Sequence, residues 1–383
     1  MGTPAKYLPK HIPLDTIDEL LVSIGLPKAA RIVPAKVTAE YHSIYMVSLP
    51  SNDITTHKEL VLRVAGHHLP RIKTANEVGV MSWIAKNTKI PIADLVAYDD
   101  SRDNPIAHEY TLLARVTGET LSNIYSTLDA EQVDGILDQL ADIVVELHGH
   151  SWNQIGGLNL DAQGEVQSAR IVDETFWTVP DLGLWPADET VDSLNIAGPY
   201  ENYVDYVSAQ IRQYIRLIRI HDKLAFMRDD IPRLEAFVAA LPSRSAELNN
   251  TKLILAHKDL HFSNVLYDKI SGRITAILDW EFSGVVPAQR WDPVRAFLWT
   301  GEAGEAGMAE KRRLWELFTS LCEKRNTSFF PQQVAFVSPR QEAMQNVVNY
   351  VRAIVEVSPR DQRKELVAGW RATALDNIAH VGA

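Results

Sequence analysis

Two short apolar segments, residues 253–256 and 274–278, each run straight into a cluster of polar residues. His257, Asp259, His261 and Asn264 follow the first, and Asp279-Trp280-Glu281 follows the second. Short apolar runs bounded by turn signals read as buried strands, and Ser271-Gly272 supplies the turn between these two. Both acidic residues therefore stand at strand ends or in loops, where a rigid scaffold can aim them. Asp259 can orient a hydroxyl. The amide oxygen of Asn264 and the carboxylate of Asp279 are hard oxygen donors suited to magnesium. Phosphoryl transfer needs these parts, because its catalysis is mostly positioning and charge neutralisation.

A metal-site reading competes with this one. His257, Asp259 and His261 alternate, as ligands of a metallohydrolase sometimes do. A zinc site usually needs three protein ligands of the right type. The remaining histidines, among them His67-His68 and His148-x-His150, form no second cluster at ligand spacing.

The motif His257-x-Asp259-Leu260-His261-x-x-Asn264, followed by a strand and Asp279-Trp280-Glu281, resembles the aminoglycoside phosphotransferase family. That family is a branch of the protein-kinase-like fold that includes choline and methylthioribose kinases. The resemblance covers roughly residues 30–300, with a helical tail beyond. It implies an α+β, two-lobed fold: a helical extension over 1–30, a small antiparallel-sheet N-lobe over 31–116 that binds nucleotide, and a larger, mainly helical C-lobe over 117–383. It further implies that Asp259 is the catalytic carboxylate, that Asn264 and Asp279 bind Mg2+, that ATP is the donor, and that His257 packs under the catalytic loop and bonds to backbone.

Composition limits the partners. The formal net charge of −11 over 383 residues disfavours a broad nucleic-acid or anionic-membrane surface. Cys322 is the only cysteine, so no intrachain disulfide is possible. The first ten residues lack a hydrophobic signal core, and no apolar run approaches a membrane span. The expected location is cytoplasmic and the expected partner a small-molecule acceptor; oligomeric state is left open.

Periodicity predicts a helix over 15–24, strands over 31–38, 44–49 and 59–65, a helix over 74–86, and strands over 94–98 and 107–115. Thr74-x-x-Glu77 matches a capping box. Val133, Ile136, Leu137, Leu140, Ile143, Val144 and Leu147 form one apolar helical stripe. Further helices are expected over 199–221, 231–240, 293–300, 308–324 and 341–380. A hairpin-like turn is expected at 161–164, an irregular insert over 173–198 and a flexible loop over 301–307.

In a kinase-like N-lobe the third strand carries a cation for the α- and β-phosphates. Alternation along Leu60–Val64 puts Val61 and Arg63 opposite Leu60, Leu62 and Val64, so the resemblance assigns Arg63 to that position. The other reading of Arg63 is an exposed strand arginine. Glu77 pairs with Arg63 or else completes the capping box with Thr74. The turn 39–43 has no glycine; Ser43 is a candidate phosphate donor or a plain turn serine. The resemblance also implies that adenine meets backbone near Leu113–Val116.

No Ala-Pro-Glu signature follows Asp279, which favours a small molecule over a protein substrate. Glu281 either touches the metal shell or acceptor, or anchors the following turn. The resemblance makes Asp292 a buttress of the catalytic loop. The insert holds Trp177, Asp181, Trp185, Asp188 and Glu189, which either receive an amine-bearing ligand or pack as anchors of a surface loop. Arg212, Arg216 and Arg219 read as a solvated helical face. The expected activity is ATP- and magnesium-dependent O-phosphotransfer; the alternative is a nucleotide-binding pseudokinase or scaffold.

Overall fold

The computed structural model describes residues 7–9, 11–35, 41–51, 56–291, 296–325 and 334–382. The chain begins with α1 (Leu14–Ser23), then β1 (Arg31–Pro34), β2 (His42–Ser48), β3 (Glu59–Ala65), α2 (Ile72–Asn87), β4 (Leu95–Asp99) and β5 (Tyr110–Ala114). These strands form one antiparallel sheet in the order β1-β2-β3-β5-β4. One sheet face is apolar. Tyr45, Val47, Leu60, Leu62 and Val64 bury against Ile17, Leu20 and Leu21 of α1, so the N-terminal helix shares the sheet's core. The other face of β3 turns Arg63 toward α2.

The expected boundaries hold for most of this region. Strand β3 spans the predicted residues, while β1 stops short at Pro34. The capping box is not formed. Helix α2 starts at Ile72, two residues before Thr74, and its N-cap is Arg71 without a side-chain cap bond. The Arg71 N–H donates instead to Glu109 Oε1 at 2.9 Å.

A two-residue strand β6 (Glu119–Thr120) and the short α3 (Leu121–Ile124) lead to α4 (Ala130–Gly149), which carries the predicted stripe. Asp129 and Gln132 form a capping box at its start. The hairpin β7 (Gly157–Leu160) and β8 (Val166–Ala169) packs beneath α2. That approach is so close that a Cβ on Gly79 would stand 2.5 Å from the Leu158 carbonyl, which explains the glycine in mid-helix. After the short α5 (Val191–Leu194) come α6 (Tyr203–Ile220), α7 (Ile231–Ala240) and the short α8 (Ser245–Leu248).

The motif-bearing strands form two small sheets. Strand β9 (Leu253–Ala256) pairs with β12 (Gly284–Pro287), and β10 (Val265–Asp268) pairs with both β11 (Arg273–Ile277) and β6. Helices α9 (Gly304–Lys324), α10 (Pro339–Val357) and α11 (Lys364–Val381) complete the lobe. The predicted 341–380 helix is thus broken, with Asp361 and Arg363 at positive φ in the break. The 301–307 stretch is only partly a loop, because α9 begins at Gly304. The predicted 293–300 helix begins in residues outside the described ones, and 296–300 is turn and irregular chain. No helix among the described residues is long and apolar enough to cross a membrane.

Candidate active site

The 257–264 loop hangs between β9 and β10. His257 ends the strand, fully buried, with Nε2 bonded to the Leu278 carbonyl at 2.8 Å and its ring 4.5 Å from that of Trp280. It therefore ties one polar loop to the other and offers no ligand position. Lys258 follows at φ 64°, a left-handed conformation that side chains rarely adopt, and its ammonium donates to the Val172 carbonyl at 2.9 Å. The Asp259 carbonyl then accepts from the His261 N–H at 3.0 Å and from Asn264 Nδ2 at 2.9 Å, which winds 259–264 into a tight turn. The Asp259 carboxylate is left partly open, with its side chain 39% exposed and His261 Nε2 at 3.5 Å.

Asn264 and Asp279 come together through the sheet. Val265 pairs with Ile277, and the Leu278 N–H donates to the Asn264 carbonyl at 2.8 Å. Asp279 is the next residue, held at φ 67°. Asn264 uses its amide nitrogen on Asp259, which leaves its side-chain oxygen available as a metal ligand. An oxygen-only pair of this kind fits magnesium. A second group, His42, Glu77 and Glu281, also converges among the described residues. It does not suit a metal, because Arg63 and Lys73 already neutralise it.

Arg63 is the hub of an ion cluster joining β3, α2 and the 279–283 loop. Its guanidinium pairs with Glu77, reaches Asp279 Oδ1 at 3.0 Å and lies 3.8 Å from Glu281. It is 12% exposed, so it is neither a surface arginine nor closed off. Burial alone would lower its pKa, but Glu77, Asp279 and Glu281 raise it and keep it charged. Glu77 joins Arg63 and not Thr74.

Lys73, Asn76 and His42 were not singled out in the sequence. Lys73 is 1% exposed and pairs with Glu281. Its ammonium lies 3.1 Å from His42 Nε2, and since lysine can only donate, that nitrogen accepts. Burial, then Lys73 and Arg63, push His42 well below the usual histidine range and keep it neutral. Asn76 donates to the Glu281 and Ser283 carbonyls at 3.0 and 2.9 Å and accepts from the Leu158 N–H at 3.0 Å. One face of α2 thereby fixes both the Asp279–Ser283 loop and the β7 hairpin. Glu281 serves as an anchor and not as an acceptor contact. Burial pushes its carboxyl up to about 8, against Lys73 and with Asp279 adding to the rise.

A signal for this face exists in the sequence. Residues 73, 76, 77, 80, 81 and 84 recur at helical spacing, so three polar residues continue the stripe that Val80, Met81 and Ile84 bury. Polar residues on a buried stripe need partners.

Ser43 is not brought to this group. It pairs in register with Val64, on the sheet face opposite Arg63, and its hydroxyl donates to the Pro9 carbonyl at 3.2 Å. Residues 39 and 40 of the glycine-free turn, and Asp292, lie outside the described residues.

A cavity of about 630 Å³ opens beside Asp259, walled by Asp173, Lys258, Phe282, Arg290 and Trp299 and by α10. The insert does not face it with free groups. Trp177 and Trp185 are buried edge to face at 4.7 Å, Asp181 pairs with Arg360 at 2.9 Å, and Glu189 pairs with Arg216. The anchoring alternative holds for these residues, and Arg216 is not simply solvated. The amine-binding expectation loses these groups as its basis.

Arg63→Lys is expected to keep more activity than Arg63→Ala, since lysine keeps the charge but loses the fork. Equal turnover of both with wild type, in an assay with an accepted substrate, would remove Arg63 from phosphate positioning.

A family model described as the phosphotransferase enzyme family matches residues 52–319. Among curated proteins, a subtelomeric hrmA-associated cluster protein of Aspergillus fumigatus is 24% identical over 258 residues, covering 56% of this chain and 50% of that protein. The clavilactone A biosynthesis cluster protein Y of Ampulloclitocybe clavipes is 25% identical over 228 residues, covering 56% and 51%. The chain spans about half the length of these curated relatives. ADP-bound aminoglycoside phosphotransferase APH(2'')-Ib superposes with a TM-score of 0.52 at 13% identity, covering 95% of this chain and 98% of the other. The streptomycin–ATP ternary complex of APH(2'')-IIa gives 0.51 at 12%, covering 96% and 97%. These likenesses show the fold, which is two-lobed and protein-kinase-like.

Proposed function

Because the chain belongs to the phosphotransferase enzyme family, we propose that it is an ATP- and magnesium-dependent O-phosphotransferase acting on a small hydroxylated molecule. One observation carries this reading. The Asp259 carboxylate borders the cavity, while the backbone bond between Leu278 and Asn264 sets the Asn264–Asp279 pair just behind it. This arrangement supports a reading in which acceptor, carboxylate and metal ligands follow in the order that phosphoryl transfer requires.

Asp259 orients the acceptor hydroxyl and takes its proton. Asn264 and Asp279 would hold magnesium, which neutralises phosphate charge when bound. Arg63 directs its donors at the phosphates, and Glu77 fixes the fork. Lys73 and Asn76 hold the loop that carries Asp279. Adenine is assigned to the backbone after β5, near Leu113–Val116. The lobes divide at about residue 116.

The test is a screen of sugars, sugar acids, amino alcohols and aminoglycosides for ATP consumption, with mass detection of a phosphorylated product. Calorimetry with ATP and magnesium should register binding that Asp279→Ala abolishes or weakens severely. Equal binding by wild type and variant would remove Asp279 from the metal role.

A further inference from the structure

We infer that the acceptor carries an acidic group, a carboxylate or its equivalent, received by Arg290 and Asn349 on the cavity wall away from the nucleotide. This rests on the proposed phosphotransfer, because it takes the Asp259 cavity as the acceptor site.

The cavity lining mixes three cations, Lys258, Arg290 and Arg352, with the carboxylates of Asp173, Glu174 and Asp259. Two of these cations have carboxylate partners. Lys258 lies 3.6 Å from Asp173, and Arg352 pairs with Glu356 at 2.6 Å. Among the described residues, Arg290 has no carboxylate within ion-pairing distance. Its Nη1 donates to Asn349 Oδ1 at 3.2 Å and its guanidinium lies 5.9 Å from the Tyr206 ring centre. Asp173 is a more distant countercharge, already held by Lys258. Held by a neutral amide and the Tyr206 hydroxyl and countered by a carboxylate only at a distance, this guanidinium is free to take a ligand carboxylate.

The neighbouring amide is turned to help. Arginine can only donate, so the atom of Asn349 that faces Arg290 is its oxygen. The same oxygen accepts from Gln345 Nε2 at 2.8 Å, and Gln345 is itself oriented by the Tyr203 hydroxyl on its Oε1. Two donors on one oxygen fix the Asn349 amide and leave its nitrogen as a donor. No acceptor among the described residues takes that nitrogen's hydrogens. Arg290 and Asn349 therefore present donors side by side in the cavity that Asp259 also borders. Asp259 is a carboxylate suited to a hydroxyl; the Arg290 wall is suited to an acid. An acceptor that is both fills the two ends, and a polycationic one would meet Arg290 with like charge.

The test is binding to the full chain without nucleotide, so it does not depend on turnover. Calorimetry would compare glucuronate, gluconate and hydroxybenzoates with their methyl esters, with glucose and with glucosamine. At least one acid should bind about 10–100-fold more tightly than its ester, the range expected for charge-assisted hydrogen bonds. Arg290→Gln should erase that preference and Arg290→Lys should keep part of it. Asn349→Asp gives Arg290 an internal carboxylate and should also erase it. Melting curves on all variants establish folding, and the wild-type comparison of acid with ester stands even where a variant fails. If no acid outbinds its ester, or glucosamine binds best, the inference is overturned. Acid binding without ATP consumption would leave it standing and overturn the phosphotransfer reading instead.

Discussion

Asp259→Asn is expected to lower turnover by about 10²–10⁴-fold, the usual contribution of a positioned acid–base group. Fold and nucleotide affinity should survive. The contacts that wind the loop are made by the Asp259 carbonyl, which the substitution keeps, and the Asn264 contact to the side chain is long, at 3.4 Å. The amide matches the carboxylate in shape but cannot take the acceptor's proton. It also removes the charge that orients the hydroxyl. Product formation, a thermal melt and an ATP titration on both proteins check this. Near-normal turnover would sink Asp259 as the catalytic carboxylate.

The second large effect lies in the buried ion cluster. At about pH 9, where Glu281 is ionised beside it, Lys73→Met should destabilise the protein by about 3–5 kcal/mol, because removing one partner of a buried pair strands the other charge. With an unfolding entropy of roughly 2.1 cal/mol/K per residue, that is a fall of about 4–6 °C in Tm. The fall should deepen with pH. Glu281 has a folded pKa raised to about 8, above its unfolded value, so its contribution is complete at low pH and is lost as pH rises to about 8. Without Lys73 its pKa rises further, and the variant goes on losing stability above that point. Adding Glu281→Gln should restore at least half of the loss, since the stranded charge is then gone. Equal Tm values for Lys73→Met and wild type, or a double variant with additive losses, would show that the pair is not coupled.

The same cluster lies beyond what local sequence patterns specify. Strand β3, the β9 and β11 strands around the motif, and the α4 stripe were legible because each is a local period. The capping box at Thr74 was a correct pattern in the wrong place. The helix starts earlier, and Arg63 outcompetes the helix end for Glu77. Ser43 failed for a register reason: a one-residue step along a strand reverses the face, and its neighbours His42 and Ile44 take the Arg63 side. The 341–380 stretch breaks at 358–363, where the sequence does carry a local signal: Pro359 has no N–H to continue the helix, and α11 then packs back against α10.

The sequence by itself determined that Asp259, Asn264 and Asp279 come together, because two strands and a turn suffice to do so. The Arg63–Glu77 pair was also within its reach, as a strand cation and a helix carboxylate that a kinase-like lobe juxtaposes. Only the tertiary structure decided that Lys73 and Asn76 secure the 279–283 loop from α2, and that α10 closes the cavity beside Asp259 with Asn349 against Arg290. Those contacts join residues far apart in the chain. No local period records them, because a buried polar group reveals its partner only when the two surfaces that exclude water from it have met.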